Sequence, residues 1–150
     1  MKNLKKDTHK YIASVLEEKL IHLSKAIETS MQSRDNEIKT SVGDKYETGR
    51  AMIQSEIDKL ANNKIAWKNL LDELKNLNPE TQSDIVNNGS LVETNHELFY
   101  FSIPYGKISI EGKEVFVISL FSPIGMIFKS KRAGDTIKFK EKTYTIINVS

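Results

Sequence analysis

The segment Ser41-Val-Gly-Asp-Lys-Tyr-Glu-Thr-Gly-Arg50 separates two long polar stretches and decides how the first half of the chain folds. It holds two of the seven glycines of the chain, and Asp44 and Glu47 lie between them, three residues apart. Helical spacing of apolar residues flanks the segment on both sides. We therefore predict a turn that joins two long helices and carries two carboxylates at its apex.

The flanking stretches both predict amphipathic helices. From about residue 7 to residue 37, and again from residue 53 to the Asn78-Pro79 pair, apolar residues recur every three or four positions. Proline ends the second pattern because the residue before it resists helical geometry. Neither stripe could be buried alone, so we predict an antiparallel coiled-coil hairpin over residues 1–78. The stripe residues are Ala13, Leu16, Leu20, Leu23 and Ile27, then Ile53, Ile57, Leu60, Trp67, Leu71 and Leu74.

The second half of the chain has a different composition. All six phenylalanines and five of the seven glycines lie beyond residue 88. Short β-prone runs alternate there with turn residues, and Ser122-Pro123 has the residue types that begin a short helix. We predict a linker at 79–88 and a small α+β domain at 89–150. The predicted strands are residues 90–94, 97–103, 107–110, 114–119, 136–139 and 143–149, with hairpin turns at Asn95-His96 and Glu111-Gly112.

Composition narrows the function classes. The chain has 150 residues, 39% hydrophobic and 28% charged, which is typical of a folded polar protein. It has no cysteine, so disulfides, thiolate metal sites and cysteine nucleophiles are excluded. A net charge of +2 does not by itself indicate nucleic-acid binding. No apolar run approaches membrane-spanning length and no secretion signal is visible, so we expect a cytoplasmic protein.

Taken together, the two halves resemble the bacterial Gre transcript-cleavage factors. The hairpin tip of that family reads Gly-Asp-x-x-Glu, and residues 43–47 match it as Gly-Asp-Lys-Tyr-Glu. The second half is similar to closing segments of the family in the same order. These are Ser122-Pro-Ile-Gly125, Lys131-Arg-Ala-Gly-Asp135 and Lys142-Thr-Tyr-Thr-Ile-Ile147, and Gly89-Ser-Leu-Val resembles the first strand of the same domain.

The resemblance implies a fold, a partner and a mechanism. The second domain would have FK506-binding-protein-like topology and dock on RNA polymerase near its secondary channel. The hairpin would enter that channel, close to the nascent RNA, and stimulate cleavage of backtracked transcripts. Asp44 and Glu47 would help to hold a Mg²⁺ shared with the polymerase, and the isolated protein would carry no cofactor. No membrane and no small-molecule substrate is implied, and we expect a monomer that is not an enzyme on its own.

A docking surface is predicted on the second domain, around the short helix. Phe121 stands beside the Ser122-Pro123 start of that helix, and we assign partner binding to Phe121, Ser122, Pro123, Ile124 and Gly125. Phe99, Phe101, Phe116 and Phe128 are expected in the core. A run of lysines and one arginine between residues 129 and 142 is typical of a solvated face, with contact to RNA or to an acidic polymerase surface as the alternative.

Three alternatives stay open. Where the family continues Asn-x-Glu-Tyr, this chain has Thr48-Gly-Arg-Ala51, which removes an acid and adds a positive charge. A channel-binding regulator without cleavage activity therefore remains possible, and an isomerase or chaperone built on the second domain is a further candidate. Asp44 and Glu47 also fit a capping box, in which both side chains satisfy amides at a helix start. The three histidines lack metal-ligand spacing, so we expect them at the surface or in turns.

Overall fold

The computed structural model describes most of the chain. It covers the backbone of residues 2–150 apart from 41–43, and the side chains of residues 3–150 apart from 37–46. The predicted tip therefore lies partly outside the described residues. No helix in the described part has the length and apolar character needed to span a membrane.

Two long helices form the first half, as predicted. Helix α1 is Lys2–Thr40 and helix α2 is Asp44–Lys75. Helix α1 begins earlier than the expected start at Asp7, and Leu4, which is 8% exposed, extends the buried stripe toward the start of the chain. All eleven predicted stripe residues are buried or half-buried. At about 1.5 Å per residue, α1 rises about 58 Å.

Side-chain contacts show that α1 and α2 run antiparallel. The Lys19 ammonium lies 4.0 Å from the centroid of the Trp67 ring. Further along α1, the Arg34 guanidinium donates to the Gln54 side-chain oxygen at 2.9 Å. Positions that ascend in α1 thus meet positions that descend in α2. The predicted helical hairpin is confirmed for the described residues.

The chain divides into two compact units. The first contains Met1–Ala13 together with Asp72–Ser150, and the second contains Ser14–Leu71. The first unit therefore includes the opening turns of α1 as well as the sheet. The predicted domain limits at 78 and 89 stay predictions, because compactness does not show which segment folds alone.

A mixed six-stranded sheet fills most of the first unit, and every predicted strand is present. Strand order is β3-β4-β2-β1-β6-β5. Strands β2 and β4 pair in parallel, whereas all other neighbours pair antiparallel. The strands are β1 Leu91–Thr94, β2 Leu98–Phe101, β3 Gly106–Ile110, β4 Lys113–Ile118, β5 Thr136–Phe139 and β6 Lys142–Val149. The α+β class predicted from the sequence is confirmed.

Local sequence accounts for the connections. Glu111 and Gly112 have φ values of 51° and 80°, the left-handed pair that a tight two-residue hairpin needs between β3 and β4. A short helix α3, Pro123–Phe128, follows β4. The last part of the predicted linker is attached to the rest of the first unit, which we also call the sheet unit, through Val86. Val86 is 1% exposed, donates its amide to the Lys131 carbonyl at 2.9 Å and accepts from the Ser130 amide at 2.8 Å.

The core of the sheet unit is rich in aromatic side chains. The Phe128 ring lies 5.3 Å from the Phe99 ring and 5.5 Å from the Phe101 ring, measured between centroids. Burial of such rings is the largest apolar contribution a small core can have. The core cluster consists of Val86, Val92, Phe99, Phe101, Leu120, Phe128, Ile137, Tyr144, Ile146 and Val149. Because Phe128 ends α3, this cluster fixes the helix on which the predicted docking residues lie.

Candidate functional site

The hairpin tip is positioned by the antiparallel pairing of α1 and α2. Helix α1 ends at Thr40 and helix α2 begins at Asp44, and the predicted turn residues 41–43 lie outside the described residues. Glu47 is exposed and belongs to the first turn of α2. The side chain of Asp44 lies outside the described residues, so the predicted pairing of Asp44 with Glu47 stays a prediction.

One face of α2 begins with Glu47. Glu47, Arg50, Ala51 and Gln54 line a single open groove, as expected from positions i, i+3, i+4 and i+7 of a helix. Gln54 accepts from Arg34 of α1 and donates to Asp58 at 3.0 Å, so the far end of the groove is tied to α1. The exposed Arg50 thus shares a helix face with the predicted ligand Glu47.

The chemistry available to the tip follows from its carboxylates. Mg²⁺ prefers oxygen ligands and keeps several waters, so one or two carboxylates can complete a site that another molecule supplies. Among the described residues, no group of three or more histidine, aspartate or glutamate side chains could hold a metal. Helix α2 begins at Asp44 itself, one position later than a capping residue would stand. Asp44 is thus the first residue of α2, and the capping box of Asp44 with Glu47 stays a prediction.

Helix α3 starts at a well-formed cap. The Ser122 backbone is extended, with φ −66° and ψ 161°, and its hydroxyl accepts from the Gly125 amide at 3.1 Å. The same hydroxyl donates to the Ser119 carbonyl at 2.6 Å. Pro123 occupies the first helical position, where its missing amide hydrogen costs nothing. The predicted capping role of Ser122 is confirmed.

The five predicted docking residues separate into outward and inward positions. Phe121 is 71% exposed and Pro123 is also exposed, while Ser122 is half-buried. Ile124 packs against the core cluster and Gly125 is buried, so neither presents a side chain to a partner. Partner binding by the five residues stays a prediction. Ile124 and Gly125 pack α3 against the core and do not contribute to its exposed side.

Sequence reasoning missed part of this outer face. Met126 and Ile127 are 54% and 37% exposed. Ile124, Gly125 and Phe128 all turn inward, which leaves Met126 and Ile127 on the outward side of the helix. We name the outward group the α3 surface, consisting of Phe121, Pro123, Met126 and Ile127.

A shallow apolar groove adjoins the α3 surface. Its volume is about 280 Å³, and Tyr105, Val117 and Ser122 are among the residues that line it. Ser122 lines the groove and also caps α3, so the groove continues to the start of that helix. The lysines and the arginine between residues 129 and 142, which follow α3, are all exposed, as expected.

One histidine contradicts the expectation of surface or turn positions. His9 of α1 is half-buried, with Nδ1 2.7 Å from the Tyr100 hydroxyl in strand β2. Burial, and then the nearby charge of Lys5, lower the pKa of His9 below its usual 6.5. Burial also raises the pKa of Tyr100, whose side chain is 0% exposed. Both shifts favour the neutral forms of the two side chains, and their hydrogen bond joins α1 to the sheet within the first unit.

Comparison with known proteins gave one solved structure of note. No family model and no curated protein matches the chain. The crystal structure of the GreA factor homolog 1 (Gfh1) protein of Thermus thermophilus aligns over 92% of this chain and 94% of its own, with 14% sequence identity and a TM-score of 0.36. The chain is similar to that protein at this level only.

Proposed function

We propose that this chain is a Gre-like transcription factor that binds RNA polymerase through the α3 surface and inserts the α1–α2 hairpin into the secondary channel. The proposal rests on the residues 43–47 and the collinear segments of the second half that resemble the Gre family. The single observation that carries it is the antiparallel pairing of α1 and α2, seen at Lys19 with Trp67 and Arg34 with Gln54. Because the helices run antiparallel, the end of α1 at Thr40 and the start of α2 at Asp44 belong to the same end of the hairpin.

The proposed role of the tip is to supply carboxylates to a metal that the polymerase already binds. Within the second unit, α1 rises about 40 Å from Ser14 to Thr40, which gives the hairpin its reach. Asp44 and Glu47 would complete a Mg²⁺ site there, and two metals can stabilise the attacking and leaving oxygens of a phosphodiester displacement. The polymerase performs the cleavage, and the factor acts as a monomer in the cytoplasm, next to the nascent RNA.

A second candidate function is channel binding without cleavage, and Arg50 favours it. Its side chain lines the same groove as Glu47, and a guanidinium that pairs with this carboxylate would compete with Mg²⁺ for it. Both functions share the docking surface and the hairpin. They differ only in what the tip does once it is inside the channel.

The experiment is a transcript-cleavage assay on stalled, backtracked polymerase complexes. Wild-type protein should shorten the transcript, and Asp44→Asn and Glu47→Gln should each abolish shortening while leaving polymerase binding intact. Glu56→Gln is the matched control, because Glu56 is an exposed carboxylate on the same helix. Binding without shortening by the wild type would support the second function, and Arg50→Ala would then be the variant expected to gain cleavage. Absence of polymerase binding would refute both.

Docking is tested separately, by polymerase binding alone. Phe121→Ser should weaken binding at least tenfold, because a side chain exposed by 71% before binding would lose most of its apolar burial in the complex. Ile147→Ser is the matched control, since Ile147 is 53% exposed on β6 and lies outside the α3 surface. Equal effects of the two substitutions would rule out α3 as the docking site.

A further inference from the structure

A partly open cavity lies in the first unit, and its lining residues belong neither to the tip nor to the α3 surface. Its volume is about 230 Å³, and it is bounded by the first turns of α1, the segment that follows α2 and the approach to β1. Four asparagines line it together with a buried lysine and a buried glycine. These residues are Lys5, Asn76, Asn78, Asn87, Asn88 and Gly89.

The lysine in this cavity is unusual for its burial. Lys5 is 2% exposed, and its ammonium donates to the Thr81 carbonyl, which also lines the cavity, at 2.6 Å. An ammonium has three N–H donors, and no carboxylate among the described residues pairs with this one. Burial lowers the pKa of Lys5 accordingly. Buried charges in proteins are normally paired, because desolvation is costly without an opposite charge.

Lys6, the next residue in the chain, differs from Lys5 in both exposure and ion pairing. Lys6 has a 41% exposed side chain and forms an ion pair with Glu80 at 2.8 Å. Lys6 therefore has an ion pair at the surface, while the hydrogen-bond partner of the buried Lys5 is a neutral carbonyl. The buried position would gain most from an anion placed in the cavity.

The asparagines add neutral donors. The Asn78 side-chain oxygen accepts from the Glu80 amide at 2.9 Å, which leaves its NH₂ group available. The Asn87 side-chain oxygen accepts from the Ser90 hydroxyl at 3.0 Å, and one of its amide hydrogens goes to Ser83 at 3.3 Å. Side-chain amide hydrogens around a buried ammonium are the donors that a carboxylate or phosphate group accepts from.

We propose that this cavity binds a small oxyanion, a carboxylate or phosphate group, with Lys5 as its charge partner and the asparagine amides as additional donors. The site is independent of the proposed transcription function. A bound anion would stabilise the junction of α1, the post-α2 segment and β1 within the first unit, since all three contribute to its wall.

The experiment is an NMR titration of the full chain. Inorganic phosphate and acetate are added separately, with sodium chloride at matched ionic strength as the reference. We expect saturable shifts of the Gly89 backbone amide and of the cavity asparagine side chains with at least one of the two anions. Phosphate alone, acetate alone or both would each support the site and would identify the accepted group.

Two substitutions of equal charge locate the site. Lys5→Met should weaken the anion about tenfold or more, since charge-assisted hydrogen bonds contribute more than neutral ones. Lys6→Met removes the same charge one residue away and should leave the affinity within about twofold. Equal weakening by both variants, or no saturable shift with either anion, would overturn the proposal.

A wild-type measurement covers the case in which Lys5→Met does not fold. The pKa of the Lys5 ammonium, followed through its ε-methylene signals, should rise when the anion is saturating, because an adjacent negative charge favours the protonated form. An unchanged pKa at saturation would place the anion elsewhere and overturn the proposal.

Discussion

Replacement of Gly125 by alanine tests how tightly α3 is held against the strand that precedes it. A Cβ at this position would lie 2.5 Å from the carbonyl oxygens of both Ser119 and Leu120, and 2.7 Å from the Leu120 carbonyl carbon. Ordinary contact begins near 3.4 Å, so these backbone atoms would have to retreat by about 0.9 Å. The Ser119 oxygen cannot move freely, because it accepts from both the hydroxyl and the amide of Ser122.

The expected magnitude follows from three opposing contributions. Overpacking of a rigid site costs about 1–3 kcal/mol, and loss of the Ser122 cap adds about 1 kcal/mol. The higher helix propensity of alanine relative to glycine stabilises the folded state by about 1 kcal/mol and offsets part of this loss. Gly125→Ala should therefore lower the free energy of unfolding of the sheet unit by about 1–3 kcal/mol.

Urea unfolding followed by NMR signals of the sheet core, such as those of Val92 and Ile146, measures this change. The fluorescence of Trp67 reports on the helical hairpin in the same sample and should shift much less. Met126→Ala, on the exposed side of the same helix, should change stability by about 0.5 kcal/mol or less. A gain of about 1 kcal/mol for Gly125→Ala would refute the reasoning, because it would show that helix preference dominates and that the backbone is not in close contact.

Four further outcomes are expected. Tyr100→Phe should cost about 1 kcal/mol of unfolding free energy in urea, because it leaves His9 Nδ1 without its hydrogen-bond partner; an unchanged midpoint would contradict this hydrogen bond. Because burial lowers the folded-state pKa of His9, the unfolded state binds more protons below pH 6.5, so stability should fall as pH drops below that value. His9→Gln should flatten that dependence, and parallel curves for the two proteins would disprove the assignment. Ser122→Ala should lower stability by about 1 kcal/mol in thermal unfolding while Ser122→Asn, which can also cap, should not. A double-mutant cycle of Lys19→Met with Trp67→Leu should give a coupling of about 0.5–1 kcal/mol, and no coupling would mean that the cation–π contact is absent in solution.

The elements of this fold could be predicted from the sequence because its periodicities are unambiguous. The apolar stripes of α1 and α2 bury the expected residues, and all six strands appear where β-prone runs were found. Ser122 caps a helix, and Glu111 with Gly112 forms a left-handed turn. Such roles depend only on adjacent residues, so they can be predicted from a short stretch of sequence. The strand order is not local. Nothing in the runs themselves indicates that β2 and β4 pair in parallel.

The candidate site was less accessible to prediction for the same reason. Phe121 could be singled out as an aromatic beside a helix start, whereas the inward positions of Ile124 and Gly125 could not be predicted. A six-residue helix is too short for its facing direction to be read without knowing what lies beneath it. His9 and Lys5 were missed because their burial depends on strand β2 and on Thr81, about 90 and 76 positions away along the chain.

The position of β6 has a consequence for how the protein is made. Strand β6 lies between β1 and β5, and Leu91 exchanges both backbone hydrogen bonds with Ser150. A ribosome that has synthesised β1 to β5 has therefore produced a sheet with an unpaired edge along β1, and such edges are where nascent chains associate wrongly. Residues 142–149 supply the missing partner. The sheet unit should consequently mature only after these residues have left the exit tunnel, while the α1–α2 hairpin, complete 67 residues before Lys142, can form early in synthesis.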